Sequence, residues 1–323
     1  MKRPKSILWI TDPWHTLDHA RDTSLRLAQE GVELGIPQFW CDVKTLRLDT
    51  TSKKIVQLEA QAILSVSKDR AGDSFELGPV ETRQPRDFSI LQYRTDPPVD
   101  LAYIHPLHLL HVGLRGVKTT EVVNPIEVLL CLNEKTESAA LAGLMPPSLV
   151  SSQWEPLLKF GRAQGRTVLK PLHEAQSHGI ELLDWRTGDV TENARQKLEI
   201  ATQRFTTPII LQRYLEGIAH GEVRLWFLDG KLLACAKKLP VSGDFRVDMD
   251  RGSQLSLHVL TRMEKAKVLR ISKHLRARKI RLAAVDLIEG WITDFNFTSP
   301  GLITQMESLL DKNLSRAIIK ALV

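Results

Sequence analysis

Hydrophobic and polar positions along the chain fall into blocks whose period changes. "SILWITDP" is a short apolar run that stops at Asp12-Pro13, as a strand does when it enters a turn. "DTSLRLAQEGVELG" follows at helical spacing. Leu25, Leu27, Ala28 and Val32 form a stripe, Asp22, Thr23 or Ser24 can cap the start, and Gly31 or Gly35 can end it. Residues 43–80 alternate weakly and predict strands with surface loops. "FSILQYRTDPPVD" predicts a strand halted by Pro97-Pro98. "HPLHLLHVGLRG" predicts a helix with Pro106 near its first turn, and "TEVVNP" a short strand.

Beyond Pro125, "IEVLLCLNEKTESAALAG" reads as helical and "RTVLKPL" as a strand. "TENARQKLEIATQRF" predicts a helix that Thr191 can cap, with Leu198, Ala201 and Phe205 on one face, and "PIILQRYL" predicts a strand. "EVRLWFLDGKLLACAKKLP" predicts a hairpin turning at Asp229-Gly230. Arg262 to Arg281 predicts an amphipathic helix whose apolar positions are Met263, Ala266, Leu269, Ile271 and Leu275. "RLAAVDLIEGWITDFNFTSP" predicts a second hairpin, and a C-terminal helix closes the chain. Strands alternating with helices, then hairpins, predict an α/β protein. No internal repeat, low-complexity tract or long linker interrupts the pattern.

Composition narrows the class. The 323 residues are enough for two or three subdomains, and 43% hydrophobic with 25% charged residues is an ordinary globular balance. No apolar run approaches the roughly 20 residues that span a bilayer, so no membrane association is expected. "MKRPKSILWITDP" reads as a first strand and not as a signal peptide, because Asp12 and Pro13 end its apolar run. Cys41, Cys131 and Cys235 are too scattered for a disulfide framework or a CxxC metal site and suit a reducing cytoplasm. The net charge of +6 is concentrated in the basic helix. No aromatic residues interleave those charges to stack bases, so nucleic-acid binding is not expected, and an anionic small substrate is the other reading of the charge.

The second hairpin carries the clearest chemistry. Asp294 and Asn296 are two apart and share one face of a strand, and Asp286 lies eight residues before Asp294. A three-residue loop, Glu289-Gly290-Trp291, would place the two acids opposite each other, whereas a two-residue turn would put them on opposite faces. The flanking Ala283, Ala284, Val285, Leu287, Ile288, Ile292, Phe295 and Phe297 predict burial on both sides. Carboxylates inside such strands are costly unless paired or metal-bound. Two carboxylates and an amide oxygen are hard ligands of the kind that hold Mg²⁺ against nucleotide phosphates. The other reading of the two acids is solubility residues of an edge strand. His105, His108 and His111 recur every three residues but lack an acidic or cysteine partner, so they predict helix-surface residues and not a metal site. His173 and His178 read as solvated loop residues.

In this order the motifs resemble the ATP-grasp superfamily and, within it, the bacterial glutathione synthetase family. The marks are "TDP" with "RDTS", "YRTDPPVD", "VVNPIEVLLCLNEKT", "LKPL", "LQRYLEGIAHGEVRLWFLDG" and "VDLIEGWITDFNFTSPG", and they span nearly the whole chain. The resemblance implies an ATP-grasp fold. An N-terminal Rossmann-like (pre-ATP-grasp) domain would cover 1–122, a small α+β lid domain 123–207, and a C-terminal mixed-sheet domain 208–323. It implies ATP and Mg²⁺ as cofactors. Lys135 and Lys170 match the family's nucleotide lysines, and Gln212, Tyr214 and Leu215 match the strand and hinge that line the adenine pocket. Arg94, Arg224 and Arg246 match arginines near the peptide substrate and the transferring phosphate, Lys238 matches a further arginine there, and Asp248 a substrate-side asparagine. Asp286, Asp294 and Asn296 match the magnesium ligands.

The departures are specific. Where the family pattern has D-G-M-G-G after "KPL", this chain has His173-Glu174-Ala175-Gln176-Ser177, so a glycine-rich flap is gone. Asp294 stands for a glutamate, Lys238 for an arginine, Asp248 for an asparagine, and Thr95 for the lysine of R-K-D-P-P. The resemblance therefore implies an ATP-dependent carboxylate–amine ligase acting through an acyl phosphate, with γ-glutamylcysteine and glycine or a related pair. The alternative is an ATP-grasp pseudoenzyme with a binding or regulatory role; a basic scaffold protein that binds nucleic acid through the 262–281 helix is a third reading. The retained lysines and metal residues favour the ligase, and the lost glycines favour the pseudoenzyme. Partners are then small molecules, namely ATP and a dipeptide or amino acid. A homo-oligomer is an expectation that rests on the resemblance alone.

Overall fold

A computed structural model describes residues 5–53, 55–67, 74–186 and 190–323. Eight strands form the first sheet: β1 (Ile7–Thr11), β2 (Gln38–Asp42), β3 (Arg47–Leu48), β4 (Val56–Val66), β5 (Phe75–Leu77), β6 (Glu81–Arg83), β7 (Ile90–Tyr93) and β8 (Glu121–Val123). Their order is β3-β4-β2-β1-β7-β8, with β5 and β6 each added to β4. The run β2-β1-β7-β8 is parallel and β4 joins it antiparallel. The crossovers use α1 (Thr23–Glu33) and α2 (Leu101–Gly113), as a parallel sheet requires. Asp22 is the residue that caps α1, accepting from the Leu25 amide at 2.8 Å. Asp100 caps α2 one turn earlier than expected, so Pro106 lies inside that helix and not in its first turn.

After α3 (Ile126–Cys131), the expected long helix breaks. Asn133, Glu134 and Lys135 form a turn, and a short 3-10 helix follows at Glu137–Ala140. The break has a cause in tertiary contacts. The Asn133 side chain donates to Leu172 O at 2.8 Å, and half-buried Glu134 accepts from the Phe297 and Thr298 amides at 2.6 and 2.7 Å. A regular helix could not serve both.

A four-stranded antiparallel sheet comes next, from β9 (Ser148–Ser151), β10 (Arg166–Pro171), β11 (Glu181–Asp184) and β12 (Ile209–Arg213), in the order β11-β10-β12-β9. It carries α4 (Trp154–Gln164), which the pattern reading did not find, and α5 (Val190–Ala201). Leu157 of α4 and Ala194 and Leu198 of α5 pack on Leu169, Ile209 and Leu211 of the sheet. The residues before α5, and the Thr191 side chain expected to cap it, lie outside the described residues. β12 pairs inside this sheet although it follows residue 207.

The third sheet holds β13 (Glu222–Leu228), β14 (Lys231–Leu239), β15 (Gln254–Ser256), β16 (Leu282–Ile288) and β17 (Trp291–Asn296), in the order β15-β14-β13-β16-β17. The first hairpin turns at Asp229-Gly230, as expected, both in the left-handed region with φ 50° and 68°. One face of the sheet packs on α6 (Arg262–Ala277) through Ile271 and Leu275. Here the expected stripe is corrected: Met263 and Leu269 are 62% and 72% exposed, and the inward positions are Glu264, Val268, Ile271 and Leu275. Glu264 turns inward because it forms a capping box with Thr261. The C-terminus is two helices, α7 (Ile303–Leu310) and α8 (Leu314–Leu322), separated by a left-handed Asp311 and capped anew by Asn313. Their apolar faces meet Trp226, Ala236 and Ala284 on the other side of the third sheet and Trp9 and Leu27 of the first. Buried Asn124 staples the two sheets. Its amide donates to Leu282 O and Phe297 O and its oxygen accepts from the Arg281 and Leu282 amides.

Gly161 shows how tightly α4 sits. A Cβ there would lie 2.2 Å from the Trp185 ring, and Trp185 is itself buried and held by Thr167 Oγ1 at 2.8 Å. Gly161→Ala is expected to lower unfolding free energy by about 1–3 kcal/mol, the usual result of overpacking. Urea denaturation checks this, with a lowered midpoint and an unchanged slope.

Candidate active site

Strand register builds the site. On β13, Glu222 and Arg224 are two apart and share a face. Glu222 is paired with Lys238 of β14, and Arg224 with Asp286 of β16. Asp286 in turn is paired with Asp294 of β17. The expected three-residue loop is not what achieves this. The turn is two residues, Glu289-Gly290, with φ 51° and 77°, and Ile288 pairs directly with Trp291. The pairing then shifts by one residue between Leu287↔Ile292 and Asp286↔Asp294, so Thr293 is the extra residue of a β-bulge. The bulge restores the opposition that a two-residue turn alone would have lost.

The result is a buried charge network. The Asp286 carboxylate accepts from Arg224 Nε and Nη2 at 2.8 and 2.6 Å, from Lys238 Nζ at 3.1 Å and from Asn296 Nδ2 at 3.2 Å. Lys238 also ion-pairs with Glu222. Burial alone would raise the Asp286 carboxyl, but Arg224 and Lys238 outweigh it and hold it well below the usual carboxylate range. Burial lowers and Asp286 raises the Arg224 guanidinium, with a net rise. Glu222 moves the other way, pushed up by burial against the pull of Lys238.

This network floors a cavity between the second and third sheets. Of the expected residues, Lys135, Lys170, Gln212, Tyr214, Leu215, Arg224, Lys238, Arg246, Asp286, Asp294 and Asn296 line it. Apolar Val168, Ile180, Ile218, Phe245 and Ile288 line it too. Lys170 reaches across from β10 to Thr293 O at 3.2 Å and stands 3.6 Å from Asp294 Oδ2. Lys135 donates to Glu174 O. Gln212 donates to Ser148 Oγ at 3.0 Å, and the Tyr214 ring lies under Arg166 at 4.2 Å. The Arg246 fork is occupied by Asp244, with contacts of 3.0 to 3.3 Å.

Two expected residues stand apart. Arg94 and Asp248 line a second, adjoining cavity toward the first sheet, which shares Glu134, Arg224, Lys238 and Asn296 with the first. Arg94 is buried, with Nε on Ser24 Oγ at 2.7 Å and Nη2 on Pro300 O at 2.9 Å, and burial lowers its pKa. Asp248 folds back on its own loop, accepting from the Asp250 amide and from Arg251. His105, His108 and His111 sit on α2 away from both cavities, and among the described residues no cluster of three His, Cys, Asp or Glu could hold a metal.

The loop 173–179 spans the mouth of the first cavity. Among the described residues the amides of Glu174, Ala175, Gln176 and Ser177 have no protein partner, and Gln176, Ser177 and Gly179 take left-handed φ of 52°, 61° and 66°. Successive free amides in such a turn form an anion-binding concavity without needing glycine at every position. Glu222 and Glu134 were missed in the sequence. Register counted from the Asp229-Gly230 turn alone would have placed Glu222 beside Lys237; a bulge between Trp226 and Phe227 shifts the pairing by one residue and sets it beside Lys238, and nothing local marks Glu134.

The donor set suits a hard cation. Asp294 is 26% exposed, with Lys170 Nζ 3.6 Å away. The Asn296 amide nitrogen is spent on Ala284 O and Asp286, which leaves its oxygen for the cavity. Asp286 Oδ1 accepts a single bond from Arg224 and keeps a lone pair.

Comparison with known proteins identifies the family. Residues 134–311 match the model of the prokaryotic glutathione synthetase ATP-grasp domain, and residues 6–129 match that of the prokaryotic glutathione synthetase N-terminal domain. A glutathione synthetase of Thermosynechococcus vestitus is 27% identical over 97% of this chain and 98% of its own length. One of Parasynechococcus marenigrum is 30% identical over 76% and 78%. A D-cycloserine synthetase of known structure shares the fold, with a TM-score of 0.66 at 17% identity over 98% of this chain and 100% of its own. The chain belongs to the prokaryotic glutathione synthetase family and is an ATP-dependent ligase with the ATP-grasp fold.

The network makes a stability prediction. Asp286→Ala leaves the Arg224 guanidinium without its carboxylate and Lys238 with Glu222 alone, and is expected to lower unfolding free energy by about 3–5 kcal/mol. Asp294→Ala, a few ångströms away but partly exposed, is expected to cost about 1 kcal/mol or less. Urea unfolding of both variants checks the contrast, and equal losses would contradict it.

Proposed function

We propose that this ligase joins a carboxylate to an amine through an acyl phosphate, with γ-glutamylcysteine and glycine, or a closely related pair, as substrates. The observation that carries the reading is the continuity of the two cavities. The first has apolar lining, three lysines and side-chain oxygens, which suits a purine, phosphates and Mg²⁺. The second begins where Arg224, Lys238 and Asn296 end the first, so a carboxylate held there meets the phosphate end of the nucleotide.

Each group has a role in this reading. Lys135 and Lys170 exchange their carbonyl partners, Glu174 O and Thr293 O, for phosphate oxygens. The free amides of residues 174–177 add neutral donors. Asp294, Asn296 and the remaining lone pair of Asp286 would hold Mg²⁺, which supplies charge neutralisation between phosphates. A carboxylate oxygen attacks the γ-phosphorus and ADP leaves. The amine nitrogen then attacks the acyl carbon, a proton is lost, and phosphate departs with the carboxylate oxygen. Arg224 and Lys238 face the oxygens on which charge gathers. No side-chain nucleophile is needed, since the chemistry is positioning and electrostatics.

The engaged Lys135 and Arg246 favour a second reading, a chain that binds ATP without transfer. Calorimetry with Mg-ATP, followed by ADP release on adding γ-glutamylcysteine and glycine, separates the two. Binding with ADP release is the expected result. No binding at millimolar ATP would sink both readings, and binding without turnover of any dipeptide–amino acid pair would leave the second. Lys135→Ala and Lys170→Ala should each weaken Mg-ATP by about 10- to 100-fold, the worth of one charge-assisted hydrogen bond.

A further inference from the structure

Loop 173–179 touches more than the nucleotide cavity. His173 O accepts from the Val99 amide at 2.9 Å, and Gln176 Nε2 donates to Asp96 Oδ2 at 3.3 Å. Val99 and Asp96 flank the Pro97-Pro98 turn of the first sheet, so the loop straps the second sheet to the first. Gln176 lines both cavities. Its left-handed backbone, at φ 52°, carries a full side chain where the family pattern has glycine. The Asp96 amide is taken by Asp12 Oδ2 at 2.9 Å, its carboxylate also accepts from the Ser299 hydroxyl, and the residue lines the second cavity.

We propose that Gln176 is a specificity-determining residue for the carboxylate substrate. Its amide occupies the passage between the nucleotide and substrate cavities and fixes Asp96, so it sets the length and polarity of the substrate that reaches the phosphate end. The proposal rests on the ligase reading above and adds the residue that selects the substrate.

Gln176→Gly is the cleanest test, because glycine adopts positive φ without strain and only the side chain is lost. Steady-state ADP release gives KM for γ-glutamylcysteine and for ATP separately, and calorimetry gives ATP binding. The expected result is a carboxylate-substrate KM raised about 3- to 10-fold, the worth of one hydrogen bond, with ATP affinity within about twofold. Gln176→Asn, one methylene shorter, should fall between wild type and Gln176→Gly. An unmoved dipeptide KM, or equal changes for dipeptide and ATP, overturns the role of Gln176 while leaving the ligase reading intact. A wild-type chain that binds no ATP overturns both, so the two failures are distinguishable.

Discussion

Asp286 sits on a central strand buried on both faces, and it stays ionised there because Arg224 reaches it from the adjacent β13 and Lys238 from β14 beyond that. Moving a lone carboxylate into such a place costs several kcal/mol. The bidentate Arg224 pair, the Lys238 contact and the Asn296 amide offset that cost, and Glu222 balances the second cation. Two acids and two bases therefore make a nearly neutral floor. This arrangement fixes the register of β13, β14, β16 and β17, because a slip of one residue would turn every member to the opposite face. It also leaves the unspent oxygens, those of Asp294 and Asn296, at the edge of the cavity.

From that floor the rest of the cleft follows. The second sheet lowers Lys170 onto Thr293 and Asp294, and the turn at 133–135 brings Lys135 to the opposite rim. Glu134, between them, is committed to the Phe297 and Thr298 amides, so the lysine turn and the strand bearing Asn296 move as one piece. The first sheet joins through Asn124 and through Arg94, which grips Pro300 O just beyond the same strand. All three sheets thus converge on the segment 294–300. The glycine-poor loop does not break this design: residues 174–177 line the cleft, their amides without a protein partner among the described residues, and the Gln176 side chain and the His173 carbonyl bridge to the Pro97-Pro98 turn.

Much of this was legible in the sequence, and the misses have causes. Strands ending in Pro or Gly, the Asp229-Gly230 hairpin and the burial around Asp286 were read from period and turn chemistry, which are local signals. Position-by-position resemblance named most of the charged residues along the floor of the first cavity and few of its apolar ones. What failed was partly non-local and partly local chemistry that the apolar period overrode. The helix at 126–143 broke because Asn133 and Glu134 found distant partners, and the apolar positions Met263 and Leu269 of α6 lost to Glu264, whose capping box set the rotation of the helix. The bulge at Thr293 could not be seen either, since turn length alone gave the opposite face. The engagement of Arg246 by Asp244, two residues away, shows why a matched arginine is not yet a free one.

The account's central claim is that a substrate carboxylate is activated by phosphoryl transfer in the joined cavities. Isotope tracing tests it most directly. A dipeptide labelled with ¹⁸O in its C-terminal carboxylate is incubated with Mg-ATP and glycine, and the released inorganic phosphate is analysed by mass spectrometry. Transfer through an acyl phosphate predicts one labelled oxygen in each phosphate formed with product. Product formed with unlabelled phosphate, or with the label carried on AMP, would contradict it.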